Sequence, residues 1–591
     1  MHRLLLLIIT LFILGLVSAC VKPGMAHYRY GDMARNAKSW DEAIVQYDQS
    51  IKLDPTYAPA YFNRGNSYYH KLEYSKAVAD YSEAIKLEAD NAKYYYSRGK
   101  AYLEMLDYLK AIKDFDKAIV LNTKYADAYF ERGNTYYAME NYNHAIGDYS
   151  QVIGLNPDYQ TETGGNSIYY YRGNAYANEG LYELALADYQ KALKRNPDDP
   201  VVHRKLGWMY TRQGDYYKAL ISYNDAIRSD PTDARNYLSR GQTYYLKGDY
   251  EKSIKDFGKA IELDPSYADA YYYRGRAYFT TLQYDKALQD FDSAIEINQE
   301  YFEAYVERGK TYQTLSDPEK ALADYNKAIE LKPVYASAYN ARGKFYHNKG
   351  QYKEAIADFN KAIELDPVYA DAFYNRGSSY FNMGEEELAV ADFNTAVQLA
   401  LNDDRYYYKR GWINVKKGDY DRAVVDYTDY LEMNPDNAYA YYGRGNAYYN
   451  MKKYDLALAD FNKSIKLDAT FANAYYGRGN VYSAKGQYDL ALADYSKAIS
   501  LNPVNLSFYN KRGLLYKRLG QYDNAIADYT KAIELDPAYA WSYNNRAWAY
   551  FLKANYERAL EDFEIAIKID GNLQEAIKGR DDTKRVIRQL Y

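Results

Sequence analysis

The chain has 591 residues and a formal net charge of −5, from 75 Lys and Arg against 80 Asp and Glu, so its charge is dense but balanced. No basic stripe of the kind that grips nucleic acid stands out, and six histidines with one cysteine leave little for metal or nucleophilic chemistry and no internal disulfide. Tyrosine is the outlier, at 78 residues.

The first stretch reads as a targeting segment. Met1-His2-Arg3 gives a short basic start, and Leu4 to Leu16 is apolar apart from Thr10 and Gly15. That run is shorter than the roughly 20 apolar residues of a spanning helix, which makes it a signal h-region. Val17-Ser18-Ala19-Cys20 follows and resembles a bacterial lipobox, in which cleavage leaves the cysteine as a lipidated N-terminus. The resemblance implies a lipoprotein signal peptide over residues 1–19, acylation (palmitate) at Cys20 and a tether over 20–23. An ordinary signal peptide with an incidental cysteine is the plainer alternative. Several acyl chains on one residue give the stable membrane anchoring that one chain does not. Val21 at the second mature position resembles lipoproteins sent to the outer membrane. This implies a lipid-anchored place in the bacterial cell envelope, on a periplasmic or surface face.

From Gly24 onward one pattern recurs. In Ala336 to Tyr369, Tyr339, Gly343 and Tyr346 mark one amphipathic helix, Ala355, Phe359 and Ala362 mark a second, and Asp366-Pro367 closes the unit. The glycine returns every 34 residues at Gly31, Gly65, Gly99 and Gly133, then at Gly173, Gly207, Gly241, Gly275, Gly309, Gly343, Gly377, Gly411, Gly445, Gly479 and Gly513, with Ala547 in the sixteenth copy. Only the step from Gly133 to Gly173 is longer. Its extra residues fall at 160–165, where Thr-Glu-Thr-Gly-Gly reads as loop. That loop is either a tolerated surface insertion or a hinge between repeats 1–4 (24–159) and repeats 5–16 (166–573).

Small Gly343 and Ala355 let the two helices approach, Ala362 lets the second helix meet the next unit, and Tyr339, Tyr346 and Phe359 fill the space between layers. Pro367 stops the second helix by pushing the residue before it out of the α region. One unit cannot bury its own apolar face, so stability accumulates by stacking. Residues 574–591 read as a C-terminal capping helix, with Ala576, Ile577, Ile587 and Leu590 on its apolar side.

The pattern Y-x3-G-x2-Y, A-x3-F-x2-A and P at this period resembles the tetratricopeptide repeat over nearly the whole mature chain. The resemblance implies an all-α fold, an α-α superhelical solenoid of about sixteen helix-turn-helix repeats whose first helices line a groove, and a binding scaffold.

Many members of that family place leucine just before the glycine. Here fourteen of the sixteen copies have arginine, with aspartate sixteen residues later, as in Arg342 with Asp358 and Arg274 with Asp290. The two exceptions lose both groups, as Tyr30 with Gln46 and Leu206 with Ser222. Joint loss predicts structural ion pairs between the helices, since removing one partner would strand a charge in a packed layer. The other reading presents the arginines to an anionic ligand. The sixth repeat also carries His203 and Trp208, marking a bend or local site, or ordinary drift.

In the tetratricopeptide family the ligand-facing positions lie one after the core tyrosine, one after the glycine, and four or five after the glycine. Carried over, they give a candidate ligand groove of Phe62, Asn66, Tyr69, Phe130, Asn134, Tyr137, Tyr170, Asn174 and Asn178 in repeats 2–5, and Tyr442, Asn446, Tyr449, Asn450, Tyr476 and Asn480 in repeats 13–14. In the tenth repeat Asn340, Lys344, His347 and Asn348 are placed on the same face. Aromatic faces and amides suit a peptide backbone or sugar hydroxyls, while the alternative is that the tyrosines extend the core. The family's carboxylate-clamp pattern is absent in every copy, which argues against capture of a peptide C-terminus.

No HExxH, CxxC, GxSxG or P-loop pattern occurs, and the histidines are scattered over separate repeats. The chain therefore reads as a non-enzyme with no cofactor and no metal. Two function classes remain. The preferred one is a membrane-anchored scaffold for protein-protein interaction and assembly in the cell envelope, binding a protein or extended peptide. The alternative is a glycan-binding lipoprotein that assists polysaccharide export or cell-wall assembly. Nucleic acid is not expected as a partner.

Overall fold

The computed structural model describes residues 24–160 and 166–590. The signal segment, Cys20, the tether and residues 161–165 of the insertion lie outside the described residues. Within them the fold is all-α: sixteen helix pairs, one per repeat, then a terminal helix Gln574–Leu590, and no strand. No helix among the described residues is long and apolar enough to cross a membrane. The chain divides into two compact units at Gln299/Glu300. The first carries repeats 1–8, and the second repeats 9–16 with the terminal helix.

The tenth repeat shows why the sequence folds this way. Its helices run Ala336–Asn348 and Tyr352–Leu365. Ala338, Ala355, Phe359 and Ala362 are completely buried. A Cβ placed on Gly343 would come within 2.6 Å of the Phe359 ring, so the missing side chain sets the separation of the two helices. After Leu365 the chain turns extended at Asp366 (φ −138°, ψ 91°) ahead of Pro367. The Asp366 carboxylate accepts the Val368 N–H at 3.2 Å and steadies the turn into the next repeat.

Between the two helices of every repeat, the seventh residue after the glycine position adopts the left-handed conformation. It is glycine in eight repeats, as at Gly350 (φ 75°), and another residue in the other eight, as at Leu106 (φ 59°). At Leu106 the turn closes by two backbone bonds, Leu106 N–H to Leu103 O and Asp107 N–H to Tyr102 O, both 2.9 Å. Those bonds offset the roughly 1–2 kcal/mol that this conformation costs an L side chain.

Some expectations about the core need correction. Tyr339 does not fill the space between layers. It is half-buried, its hydroxyl donates to the Pro333 carbonyl at 3.2 Å, and its ring lies under the Arg342 guanidinium at 5.8 Å. In the terminal helix Ala576 packs with Leu573 against Phe563, but Leu590 is 62% exposed, so the apolar side stops short of the helix end. Across the insertion the stacking continues, with the Tyr171 ring 4.9 Å from Phe130 and Arg172 Nη1 donating to Ser150 Oγ at 2.9 Å.

Candidate binding face

The arginines before the glycines belong to the frame. Arg342 donates from Nε to Asp358 Oδ2 at 2.8 Å and from Nη2 to Oδ1 at 2.7 Å. Arg274 holds Asp290 in the same way, at 2.8 and 2.7 Å. Every other arginine of the set also meets its own aspartate: Arg64, Arg98, Arg132, Arg172, Arg240, Arg308, Arg376, Arg410, Arg444, Arg478, Arg512 and Arg546. The remaining Nη1 of Arg342 crosses to Asn326 of the preceding repeat at 2.7 Å. The same crossing reaches Ser82 from Arg98, Asp116 from Arg132 and Thr428 from Arg444. Each such arginine ties three helices, and hydrogen bonding to Asp358 holds the Arg342 guanidinium above its ordinary pKa. Where both edges of the guanidinium are engaged in this way, the arginine is not offered to a ligand.

The sixth repeat, which lacks the pair, relocates its charge. Leu206 is buried and the Ser222 hydroxyl turns back to the Lys218 carbonyl at 3.0 Å. Arg204 donates instead to Asp233 Oδ2 at 2.7 Å and Asn236 Oδ1 at 2.8 Å. His203 Nε2 meets the Pro197 carbonyl at 2.7 Å, and Trp208 is exposed with the Arg212 guanidinium 5.4 Å from its ring.

Four of the candidate asparagines are engaged inside their own repeats. Asn66, Asn134, Asn174 and Asn480 accept the hydroxyls of Tyr81, Tyr149, Tyr189 and Tyr495 at 2.8–2.9 Å. In repeat 13 the corresponding ring is Phe461, which leaves Asn446 without that partner. Asn340, placed by its sequence position on the ligand face, is buried. Its amide donates to the Tyr369 hydroxyl at 3.1 Å and accepts from Asn375 at 2.9 Å.

Among the aromatic residues one after the core tyrosine, Phe130 is a further correction. Phe130 is only 4% exposed and sits among Tyr149, Tyr159 and Tyr171. Phe62 packs on Tyr94 at 4.7 Å, Tyr170 on Tyr171 at 5.5 Å, Tyr442 on Phe471 at 5.1 Å and Tyr476 on Phe508 at 4.9 Å. Phe62, Phe130 and Tyr476 reach a ring of the next repeat, whereas Tyr170 packs on its neighbour in the same helix, and Phe130 is closed to a ligand. The residues four or five after the glycine stay more open. Tyr69 is half-buried, with its hydroxyl on Glu104 at 3.2 Å. The exposed Asn178 donates to the Tyr137 hydroxyl at 2.6 Å, and the exposed Asn450 to the Asn446 carbonyl at 2.8 Å.

Each candidate cluster contributes to a cavity. In repeats 1–3 a cavity of about 570 Å³ is lined by Phe62, Asn66 and Tyr69 together with Arg35, Trp40, His70, Lys93, Tyr96 and Lys100. In repeats 13–15 a smaller one of about 180 Å³ is lined by Tyr449 and Asn480 with Ser483, Lys511, Leu514 and Arg518. The cations in both linings were missed from sequence. Lys100 occupies the position after the glycine, the same as Lys344 of the tenth repeat, but does not stand in the candidate groove read from sequence. Lys511 stands two before the glycine, a position left out of the mapping.

Burial, then Lys100, Arg35 and Lys38, lower the pKa of His70 in the first cavity. Burial lowers Lys517 and Lys409 in the second unit, and raises the Glu131 carboxyl in the first. Among the described residues no group of three or more His, Cys, Asp or Glu could hold a metal ion.

Profiles described as TPR repeat match residues 31–71, 73–105, 241–281, 317–350, 345–384, 413–452, 445–486 and 479–520. Others described as Tetratricopeptide repeat match 92–125, 126–159, 168–234, 268–301, 370–403, 507–539 and 528–561. No curated protein matches the chain. Among solved structures, the APC/C hetero-tetramer Cut9-Hcn1 is similar at 16% identity over 83% of this chain and 96% of that one, with a TM-score of 0.51, a likeness of fold. A tetratricopeptide repeat protein from Parabacteroides merdae is 24% identical over 40% of this chain and 94% of its own, with a TM-score of 0.36. MamA is 32% identical over 28% of this chain and 96% of its own, with a TM-score of 0.25.

Proposed function

Because this chain belongs to the tetratricopeptide repeat family, we propose that its mature form is a lipid-anchored scaffold of the bacterial cell envelope, gathering proteins or extended peptides on the face made by its first helices. The observation that carries the binding part is the cavity of about 570 Å³ in repeats 1–3, with aromatic walls and cations that the Arg–Asp frame leaves unused. Repeat arrays of this kind act by presenting extended surfaces, and nothing in the cavity needs a reaction to explain it. The anchor rests on Val17-Ser18-Ala19-Cys20 and the apolar run before it.

A protein or peptide ligand is favoured over a glycan. Four of the asparagine amides that a sugar would use are held by tyrosine hydroxyls. Chemical cross-linking in native membranes, followed by identification of the captured chains, tests this directly. Recovery of a defined set of envelope proteins supports the scaffold, whereas binding of an oligosaccharide array with no captured protein overturns it. For the anchor, wild-type protein fractionates with membranes and takes up labelled palmitate, and Cys20→Ala becomes soluble. Equal partition of the two removes the anchoring claim.

A further inference from the structure

We propose that the cavity of repeats 1–3 receives an acidic segment of a partner protein, whose carboxylates are taken by Arg35, Lys93 and Lys100 between aromatic walls. This rests on the scaffold reading and names the chemistry of its partner.

The lining carries three cations and no carboxylate. The Lys100 ammonium lies 5.6 Å from the Tyr69 ring centre and 5.7 Å from that of Tyr96, held between two ring faces. Among the described residues neither Lys93 nor Lys100 makes an ion pair. Arg35 has a long contact to Asp32, at 3.7 Å, and its Nη1 donates to Asn63 Oδ1 at 3.3 Å. The near oxygen of Asp32 is already occupied, by the Tyr47 hydroxyl at 2.7 Å and the Asn63 amide at 2.8 Å. Arg35 Nε is buried without a hydrogen-bond partner. Glu104 and Glu131 stand outside the lining, the first accepting from the Tyr69 hydroxyl at 3.2 Å and the second from Asn134 at 3.3 Å.

The hydrogen-bonding inventory points the same way. Asn66 Oδ1 is taken by Tyr81, and Arg35, Lys93 and Lys100 bring charged donors to the lining. Carboxylates are acceptors only and match such a lining, whereas sugar hydroxyls need donors and acceptors together. The rings of Tyr69, Tyr96 and Trp40, the last stacked on His70 at 4.5 Å, supply contact area for the peptide between its charges. Because His70 is already lowered by burial and by Lys100, Arg35 and Lys38, an anion seated beside them shifts its titration upward.

The test uses the full mature chain and a fluorescein-labelled, acetylated and amidated octapeptide of alternating Glu and Gly, with its Gln counterpart as control. The Glu peptide should bind saturably and about tenfold more tightly than the Gln peptide, and weaken as salt rises from about 50 mM to about 0.5 M. Lys100→Gln should lose about tenfold while Lys100→Arg retains binding, and the His70 ring resonances should titrate at higher pH in the complex. An unchanged helical spectrum and unfolding midpoint for Lys100→Gln separate lost binding from lost fold.

Equal binding of the two peptides, indifference to Lys100→Gln, or preferential displacement by an oligouronate overturns the assignment. Cross-linking distinguishes this failure from that of the wider reading. If envelope proteins are captured equally by wild type and Lys100→Gln, the scaffold stands and this site falls. If none is captured by either, the scaffold falls, and the peptide titration decides the site by itself.

Discussion

Arg342 and Asp358 are joined by two parallel hydrogen bonds, and Asp358 is only 6% exposed. Asp358→Ala leaves the guanidinium with only its crossing bond to Asn326, and should cost about 3 kcal/mol, because one partner of a largely buried pair is stranded. Copying the sixth repeat, with Arg342→Leu and Asp358→Ser together, should recover most of that loss. Hydrogen exchange across repeat 10, with urea unfolding of the whole chain, measures both. A double variant less stable than Asp358→Ala would contradict a direct pair.

Arg274 lacks the crossing bond of its neighbours, since Gly258 stands where other repeats place Asp, Asn, Ser or Thr. A Cβ at Gly258 would meet only Arg274 Nη1, at 3.6 Å. Gly258→Asn should therefore stabilise the first unit by about 1–2 kcal/mol, from a hydrogen bond to a charged donor and from removing a helical glycine. Gly258→Ala supplies the second contribution alone. Equal unfolding midpoints for the two variants would show that no bond forms.

The Tyr529 hydroxyl is buried with no hydrogen-bond partner, and the residue after the glycine in that repeat is Leu514, 44% exposed. Leu514→Asn should restore the bond that Asn480 makes to Tyr495, adding about 1 kcal/mol. The gain should vanish when Tyr529→Phe is added. Thermal unfolding of the four combinations as a cycle gives the coupling, and zero coupling would refute it.

Burial favours the neutral form of His347. Its Nδ1 lies 2.8 Å from Ser379 Oγ, and Nε2 accepts a long contact from the Asn382 amide at 3.5 Å, a role the protonated ring cannot fill. Burial and then Lys409 place its pKa below the ordinary 6.5. As the pH falls through that value the unfolded chain takes up the proton first, so stability present above about pH 6.5 is lost as pH drops through the folded-state pKa. Hydrogen exchange in repeats 10 and 11 should speed up between about pH 7.5 and 5.5, and His347→Gln should flatten the change. A pH response identical in the two proteins would exclude His347 as its source.

Much of the frame can be read from the residues. The joint absence of arginine and aspartate in repeats 1 and 6 is what a direct pair produces. The third arm of each arginine was not legible, because its acceptor varies among Asp, Ser, Asn and Thr, any short polar side chain sufficing at that distance. Asn66, Asn134, Asn174 and Asn480 each sit in a repeat whose second helix carries tyrosine in place of phenylalanine, a pairing visible in the sequence once the hydroxyl bond is known. The family's ligand positions misled at Phe130, because this ring fills the seam instead of facing outward.

The repeat period, the two helices of each unit, the glycine under the aromatic ring and the proline after the second helix were determined by the sequence alone, because each depends on residues close together in one copy. Which polar groups remain available was decided only by the tertiary structure. Asn66 and Lys100 occupy the same position after successive glycines. Asn66 is bound to the hydroxyl of Tyr81, whereas the ring opposite Lys100 is Phe115, which has no hydroxyl to hold it. Lys100 instead reaches the rings of Tyr69 and Tyr96 in a cavity assembled from three repeats. The rotation of one repeat against the next, set by packing across the seams, brings Arg35, Lys93 and Lys100 to one place, and no single copy of the repeat contains that information.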